Sequence, residues 1–300
     1  MMSWSMDDFV KLRTGRVEDF ATVHAPITTV SEFFERLTPF NEAKWAFRGQ
    51  GADRVLSASI ERVAIRPGVA EDYVEREFRR RAHQYIVNLP SGDDDLEWLA
   101  LMQHHGAPTR LLDWTRSAHV AAFFAAQSSN LTNSFITTKP EKMVEPFVIW
   151  AVDVENVNAE ALEMLDLDPK DNLSSRENFR KIYRDQQPDD LYLVAAVQPY
   201  RMNERLTIQQ GLFLCANHPL FSFRRCLIAL LLHASNGGKL SAQWLHKFVV
   251  AAETRLDVLG ALNKININSA TLFPGLDGFS QSLHTNVQIQ EQQKWPMKGV

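Results

Sequence analysis

The stretch Trp45-Ala46-Phe47-Arg48-Gly49-Gln50 alternates large apolar residues with others and runs into glycines at Gly49 and Gly51, a pattern that predicts a strand entering a tight turn. Before it, Ser31 to Leu37 predicts a short helix. After it come helical signals: Val74, Phe78, Ala82, Tyr85 and Leu89 recur at helical spacing over Glu71 to Leu89 until Pro90 stops the run. A second helix is expected over Asp95 to His104, ended by Gly106 and Pro108, and an Ala- and Phe-rich third from Thr115 to about Gln127, with a loop between them. The chain then changes character. Phe147 to Val154, Leu191 to Gln198 and Gly211 to Ala216 are short apolar, β-branched runs of buried-strand type. Cys226 to His233 could be strand or buried helix, since periodicity cannot separate the two at that length, and is assigned as a strand, whereas Glu253 to Lys264 reads as a helix. Runs of helices followed by runs of strands argue for an α+β single domain with a mixed, largely antiparallel sheet flanked by helices.

The 300 residues, 45% hydrophobic and 23% charged, suffice for one buried core. The expected domain runs from 27 to 285, with an N-terminal extension (1–26) and a C-terminal tail (286–300). A formal charge of −4 excludes wholesale attraction to nucleic acid, so any such contact must be local. Cys215 and Cys226 are too few for a disulfide framework and lack histidines at metal-site spacing. A cytoplasmic location is expected. No apolar run reaches membrane-spanning length, so no membrane contact is expected.

Several polar groups stand out, each with two readings. Arg48 could grip a planar anion beside a glycine that lets a ligand approach, or be a buried arginine paired to Asp113. His104 and His105 end a helix, where the macrodipole favours them, or one contacts a ribose or base; as neighbours they project differently and make no metal site. Thr109, Arg110 and Asp113 form a site or a structural hydrogen-bond network. Gln209 and Gln210 precede a strand in which side chains alternate, so only one can face a cleft: Gln209 is expected there with Gly211 and Phe213, Gln210 on the core side. Arg76, Arg79, Arg80 and Arg81 form a solvated helix face or a phosphate-tracking, nucleic-acid-binding patch.

Phe47-Arg48-Gly49, the block Gln103-His104-His105-Gly106-Ala107-Pro108-Thr109-Arg110-Leu111-Leu112-Asp113-Trp114-Thr115, Gln209-Gln210-Gly211-Leu212-Phe213, and Leu272-Phe273-Pro274-Gly275-Leu276-Asp277-Gly278 together resemble the FRG domain family over roughly residues 30 to 283. The aromatic-Arg-Gly at the end of a first strand also resembles the first motif of ADP-ribosyltransferases, which implies an ADP-ribosyltransferase-like fold and NAD as co-substrate. On that resemblance Phe47, Arg48 and Gly49 hold NAD, with His104, His105, Thr109 and Arg110 in the opposite wall. Where those enzymes usually carry a glutamate this chain has Gln209 and Gln210, which can orient a ribose but cannot act as general base; Asp113 is the carboxylate candidate. The implied activity is that of a toxin or defence protein modifying RNA or a protein, with an antitoxin or regulatory protein as partner. The alternatives are a non-catalytic nucleotide- or nucleic-acid-binding module, or a hydrolase such as a nuclease with His104 or His105 as acid or base.

Overall fold

The run at Trp45 lies at the centre of a seven-stranded sheet in a computed structural model that describes residues 5–129, 145–185, 191–218, 221–239 and 243–294. The strands are β1 (Thr22–Val23), β2 (Trp45–Gln50), β3 (Leu111–Thr115), β4 (Phe147–Asp153), β5 (Val194–Val197), β6 (Gly211–Ala216) and β7 (Leu245–Val250). Their order is β1-β7-β4-β2-β3-β6-β5, with β1 parallel to β7 and all other pairs antiparallel. The helices before β4 are α1 (Met6–Thr14), α2 (Val30–Leu37), α3 (Ser59–Val63), α4 (Pro67–Arg81), α5 (Asp95–His104) and α6 (Ala118–Ser128). After it come α7 (Val154–Met164), α8 (Arg176–Tyr183), α9 (Glu204–Ile208), α10 (Phe223–Asn236), α11 (Arg255–Lys264), α12 (Ser269–Leu272) and α13 (Leu276–Lys294). The result is the expected α+β single domain with a mixed, largely antiparallel sheet.

Alternation on β2 and β4 divides the core. Phe47, Ile149 and Phe248 pack with α2, α6 and α11 in one cluster, while Trp150, Val148 and Ala46 join the other with α5, α7 and α10. All seven residues of β4 are buried, so no polar alternation marks this strand.

Several expected elements differ. Cys226 to His233 is not a strand but part of α10, which Ser222 caps by accepting from the Arg225 N–H. Nine α10 residues are buried, so no polar stripe betrays the helical period. The expected loop before Thr115 contains β3, where Asp113 is the one exposed position; a short strand broken by an acid offers little pattern to read. The helix expected from Glu71 starts at Pro67 and stops at Arg81, leaving Tyr85 82% exposed, and its buried positions include Glu71 and Glu75. The segment before residue 27 contributes β1 to the sheet and buries Leu12 and Val17 in the core. Past residue 285, α13 continues as a helix with Ile289 against the core, and the tail residues 295–300 lie outside the described residues. Among the described residues no helix is long and apolar enough to cross a membrane.

Candidate functional site

Strand β2 pairs with β4 at six positions and β3 with β6 at five, yet β2 and β3 meet only at Phe47↔Thr115. The sheet therefore parts beyond that pair, and a cavity of about 320 Å³ lies there, lined from β2, β3, β6, α5, α6 and α9. The volume is at the lower end of small-molecule pockets.

Arg48 spans the parting. Its Nη1 donates to the Asp113 carbonyl oxygen at 2.6 Å, replacing a ladder bond that the strands no longer make. The structural reading of a pair with the Asp113 carboxylate is thus corrected: the partner is the backbone. Arg48 Nε is buried without a protein partner, as is the indole Nε1 of Trp114, which lines the same cavity. Two buried donors left open at one cavity are uncommon in a folded protein. Burial lowers the Arg48 pKa, Asp113 opposes this and Arg62 adds to it; a guanidinium remains charged nonetheless.

The glycine beside Arg48 has a different purpose from the expected one. A Cβ on Gly49 would lie 1.9 Å from the Ala121 carbonyl oxygen, and one on Gly51 2.3 Å from the Ser128 carbonyl carbon. The close backbone approach is that of α6, not of a ligand.

Asp113 is held from the opposite side. Gln103 Nε2 donates to Asp113 Oδ2 at 2.9 Å while Gln103 Oε1 accepts from Thr109 Oγ1 at 2.7 Å, which fixes the amide orientation. Arg205, on α9, faces the same space and stacks on Phe273 with its guanidinium carbon 4.5 Å from the ring centre. Burial lowers the Arg205 pKa against the opposing charge of Asp113. Neither Arg48 nor Arg205 is ion-paired to a carboxylate among the described residues. His104 also lines the cavity, and burial, then His105 and Arg205, lower its pKa, which favours the neutral ring.

Phe47, Arg48, Gly49, His104, Asp113 and Gln209 are brought together at this cavity, whereas His105, Thr109, Arg110 and Gln210 do not line it. His105 is exposed against the edge of His104. Thr109 is fully buried, tied to Ser59 and Gln103. Arg110 is buried elsewhere: Nε donates to Glu71 Oε2 at 2.7 Å, Nη1 to the Asn217 carbonyl at 2.9 Å, and the guanidinium lies over Tyr183. Gln209 ends α9, and its Nε2 donates to the Leu272 carbonyl at 2.9 Å. Gln210 is exposed rather than on the core side, because its backbone is left-handed at φ 50 and the alternation of β6 begins only after it. Gln103, Arg205 and Trp114 were missed as site residues. Gln103 and Trp114 stand inside the quoted central block, but nothing in the sequence sets Arg205 apart.

The arginine run on α4 is not a continuous cationic track. Arg79 is 21% exposed and bonded to both Glu75 and Asp95 at 2.6 Å. Arg76, Arg80 and Arg81 are exposed but gather around Glu77 at 4.0, 3.8 and 3.0 Å. Among the described residues no group of three metal-ligating side chains could hold an ion.

Residues 43–134 match the FRG domain family. The match contains β2, α5, β3 and α6, hence Arg48, Gln103 and Asp113, whereas α9 with Arg205 and Gln209 and the Leu272 to Gly278 stretch fall beyond it. No curated protein and no solved structure matches the chain.

Proposed function

We propose that the cavity between β2 and β3 binds NAD and that the chain is an ADP-ribosyltransferase-like enzyme, a toxin or defence protein acting on RNA or a protein. The observation that carries this reading is the set of open donors at one cavity: among the described residues Arg48 Nε and Trp114 Nε1 have no hydrogen-bond partner, and Arg205, which lines the same cavity, has no carboxylate partner. Two guanidiniums suit a pyrophosphate, which supplies the acceptor atoms they lack. The aromatic wall of Phe47, Phe124 and Phe213 suits the flat nicotinamide.

As nicotinamide leaves C1′ with the bonding electron pair, positive charge develops on the ribose. Asp113, with one oxygen held by Gln103 and the other open, is the carboxylate to stabilise that charge and to take the proton of an attacking acceptor hydroxyl. This assigns to Asp113 the task that Gln209 and Gln210 cannot perform; Gln209 orients the ribose. Neutral His104 supports a second reading, nucleic-acid hydrolysis with His104 as base.

The test is nicotinamide release from NAD with total RNA and cell lysate as acceptors. Arg48→Ala is expected to lower turnover by about 10²–10³, the usual effect of removing one preorganised donor, and Arg48→Lys to restore little because an ammonium lacks the planar fork. No release by the folded wild type removes the transferase reading, and RNA cleavage without NAD supports the hydrolytic one.

A further inference from the structure

A second cavity, of about 430 Å³, lies between the turn after α1 and the loop after β2, and it shares no lining residue with the first. Its walls carry three guanidiniums, Arg16, Arg54 and Arg224, and two carboxylates, Glu18 and Asp53, over a floor formed by Trp150. The mixed lining suggests near neutrality, but the interior charge behind it changes the balance. Lys247, 2% exposed, donates to Glu18 and Asp53 at 2.7 Å each, and its ammonium lies over the Trp150 ring at 5.1 Å. Both carboxylates are therefore committed to an ammonium that no solute can reach. Burial raises the Glu18 pKa, but Lys247 and then Arg16 lower it further, so the carboxylate stays ionised as the partner of Lys247.

The arginines have no comparable partners. Arg54 is exposed and makes no ion pair or side-chain hydrogen bond among the described residues. Arg224 donates to the Gly15 carbonyl, which holds its fork at the cavity without neutralising it. Among the described residues the Arg16 guanidinium pairs only with Glu18, at 3.5 Å and shared with Lys247, while Asp19 accepts from the Arg16 backbone N–H. Three guanidiniums and one ammonium against Glu18 and Asp53, with Asp19 bonded to the backbone of Arg16, leave an excess of positive charge around an open space.

We propose that this cavity is a phosphate-binding site that takes a diphosphate or the terminal phosphates of a nucleotide, with Arg54 and Arg224 as contacting cations. A diphosphate supplies the acceptors that a guanidinium fork requires and matches the excess charge. The site is independent of the NAD reading, because none of its residues belongs to the first cavity.

The probe is inorganic pyrophosphate, measured by isothermal titration calorimetry at two salt concentrations. To isolate the second cavity, the experiment uses the Arg48→Ala/Arg205→Ala background, in which one pyrophosphate is expected to bind still. Adding Arg54→Ala is expected to weaken that binding about tenfold and reduce its salt dependence, the size of one charge-assisted hydrogen bond or two, with Arg54→Lys intermediate. Because Arg224 also anchors Gly15, Arg54 is the residue to change. No binding in the double-alanine background, or unchanged affinity with Arg54→Ala, overturns the proposal. Neither result bears on nicotinamide release.

Discussion

Arginines occur in two settings in this protein, and the contrast separates those that hold the fold from those free to hold something else. Between α4, α5 and α8, Arg79, Arg110 and Arg184 are matched by Glu71, Glu75 and Asp95, with Tyr183 donating to Glu75 at 2.7 Å. At the parting of β2 and β3, Arg48 and Arg205 have a carbonyl and an aromatic face instead of carboxylates. A buried ion pair contributes little net stability but is costly to break, since the remaining charge has no partner. An arginine bonded only to a carbonyl has no such dependant. Asp113 makes the same point in reverse, being exposed and held by an amide.

The largest effect should come from the paired setting. Arg110→Ala leaves the Glu71 carboxylate, 2% exposed, without its guanidinium, and the expected loss is about 3–5 kcal/mol by denaturant unfolding. Replacing both partners by apolar residues, Arg110→Met with Glu71→Leu, should recover most of it. Arg48→Ala, which removes one hydrogen bond to a carbonyl, should cost only about 0.5–1.5 kcal/mol. Equal losses for Arg110→Ala and Arg48→Ala would erase the distinction between the settings.

Much of the sheet was legible because strand and helix periods differ where one face is polar. Trp45 to Gln50 and Asp95 to His104 were legible instead from the residues that end them, Gly49 and Gly51 at the one and Gly106 and Pro108 after the other, and they form β2 and α5 with those bounds. Cys226 to His233 has no polar face, since α10 is buried nearly all round. The division between Arg48 and Arg110 was not legible either, because both precede or follow apolar residues and only the third dimension brings the Glu71 carboxylate to Arg110 and a backbone carbonyl to Arg48. The α4 helix misled for the same reason: its apolar spacing was real, but Glu71 and Glu75 occupy the buried face because Arg110, just before β3, and Arg184, just after α8, meet them there.

A smaller effect is expected from Asp95, whose response to pH tests the paired setting from the carboxylate side. Burial raises its pKa, but Arg184 and then Arg79 outweigh this and lower it below the ordinary value of 3.8. A carboxylate with a lowered folded pKa contributes stability that is fully present above its unfolded pKa and is lost as pH falls through the folded one. Asp95→Asn should therefore cost about 1.5–3 kcal/mol at pH 7, the range for hydrogen bonds to a charged group, and progressively less below pH 4. The check is urea unfolding of both proteins from pH 7 to pH 2, where the two stability curves should converge. A gap that stays constant to pH 2 means that Asp95 is not ionised by its arginines.

The smallest effect concerns the glutamines at the rim of the unpaired setting. Gln209 donates to the Leu272 carbonyl at 2.9 Å, and its own carbonyl accepts from Thr115 Oγ1 at 2.6 Å, so it joins α9, β3 and the end of α12 around the cavity. Gln209→Ala removes the side-chain bond alone and should cost about 0.5–1.5 kcal/mol of stability. Gln210, one residue on, is exposed in a left-handed backbone at φ 50, where a side chain is unfavourable by roughly 1–2 kcal/mol. Gln210→Gly should therefore be neutral or stabilising and leave ligand affinity unchanged. In the NAD reading the two also part in kinetics: Gln209→Ala should lower turnover more than affinity, because a ribose contact strengthened in the transition state acts on kcat, and Gln210→Gly should change neither. Calorimetric NAD affinity, nicotinamide release and unfolding of the two variants side by side make the comparison. A loss of turnover in Gln210→Gly equal to that in Gln209→Ala would move the functional contact to the exposed residue and overturn the assignment of Gln209 to the cavity wall.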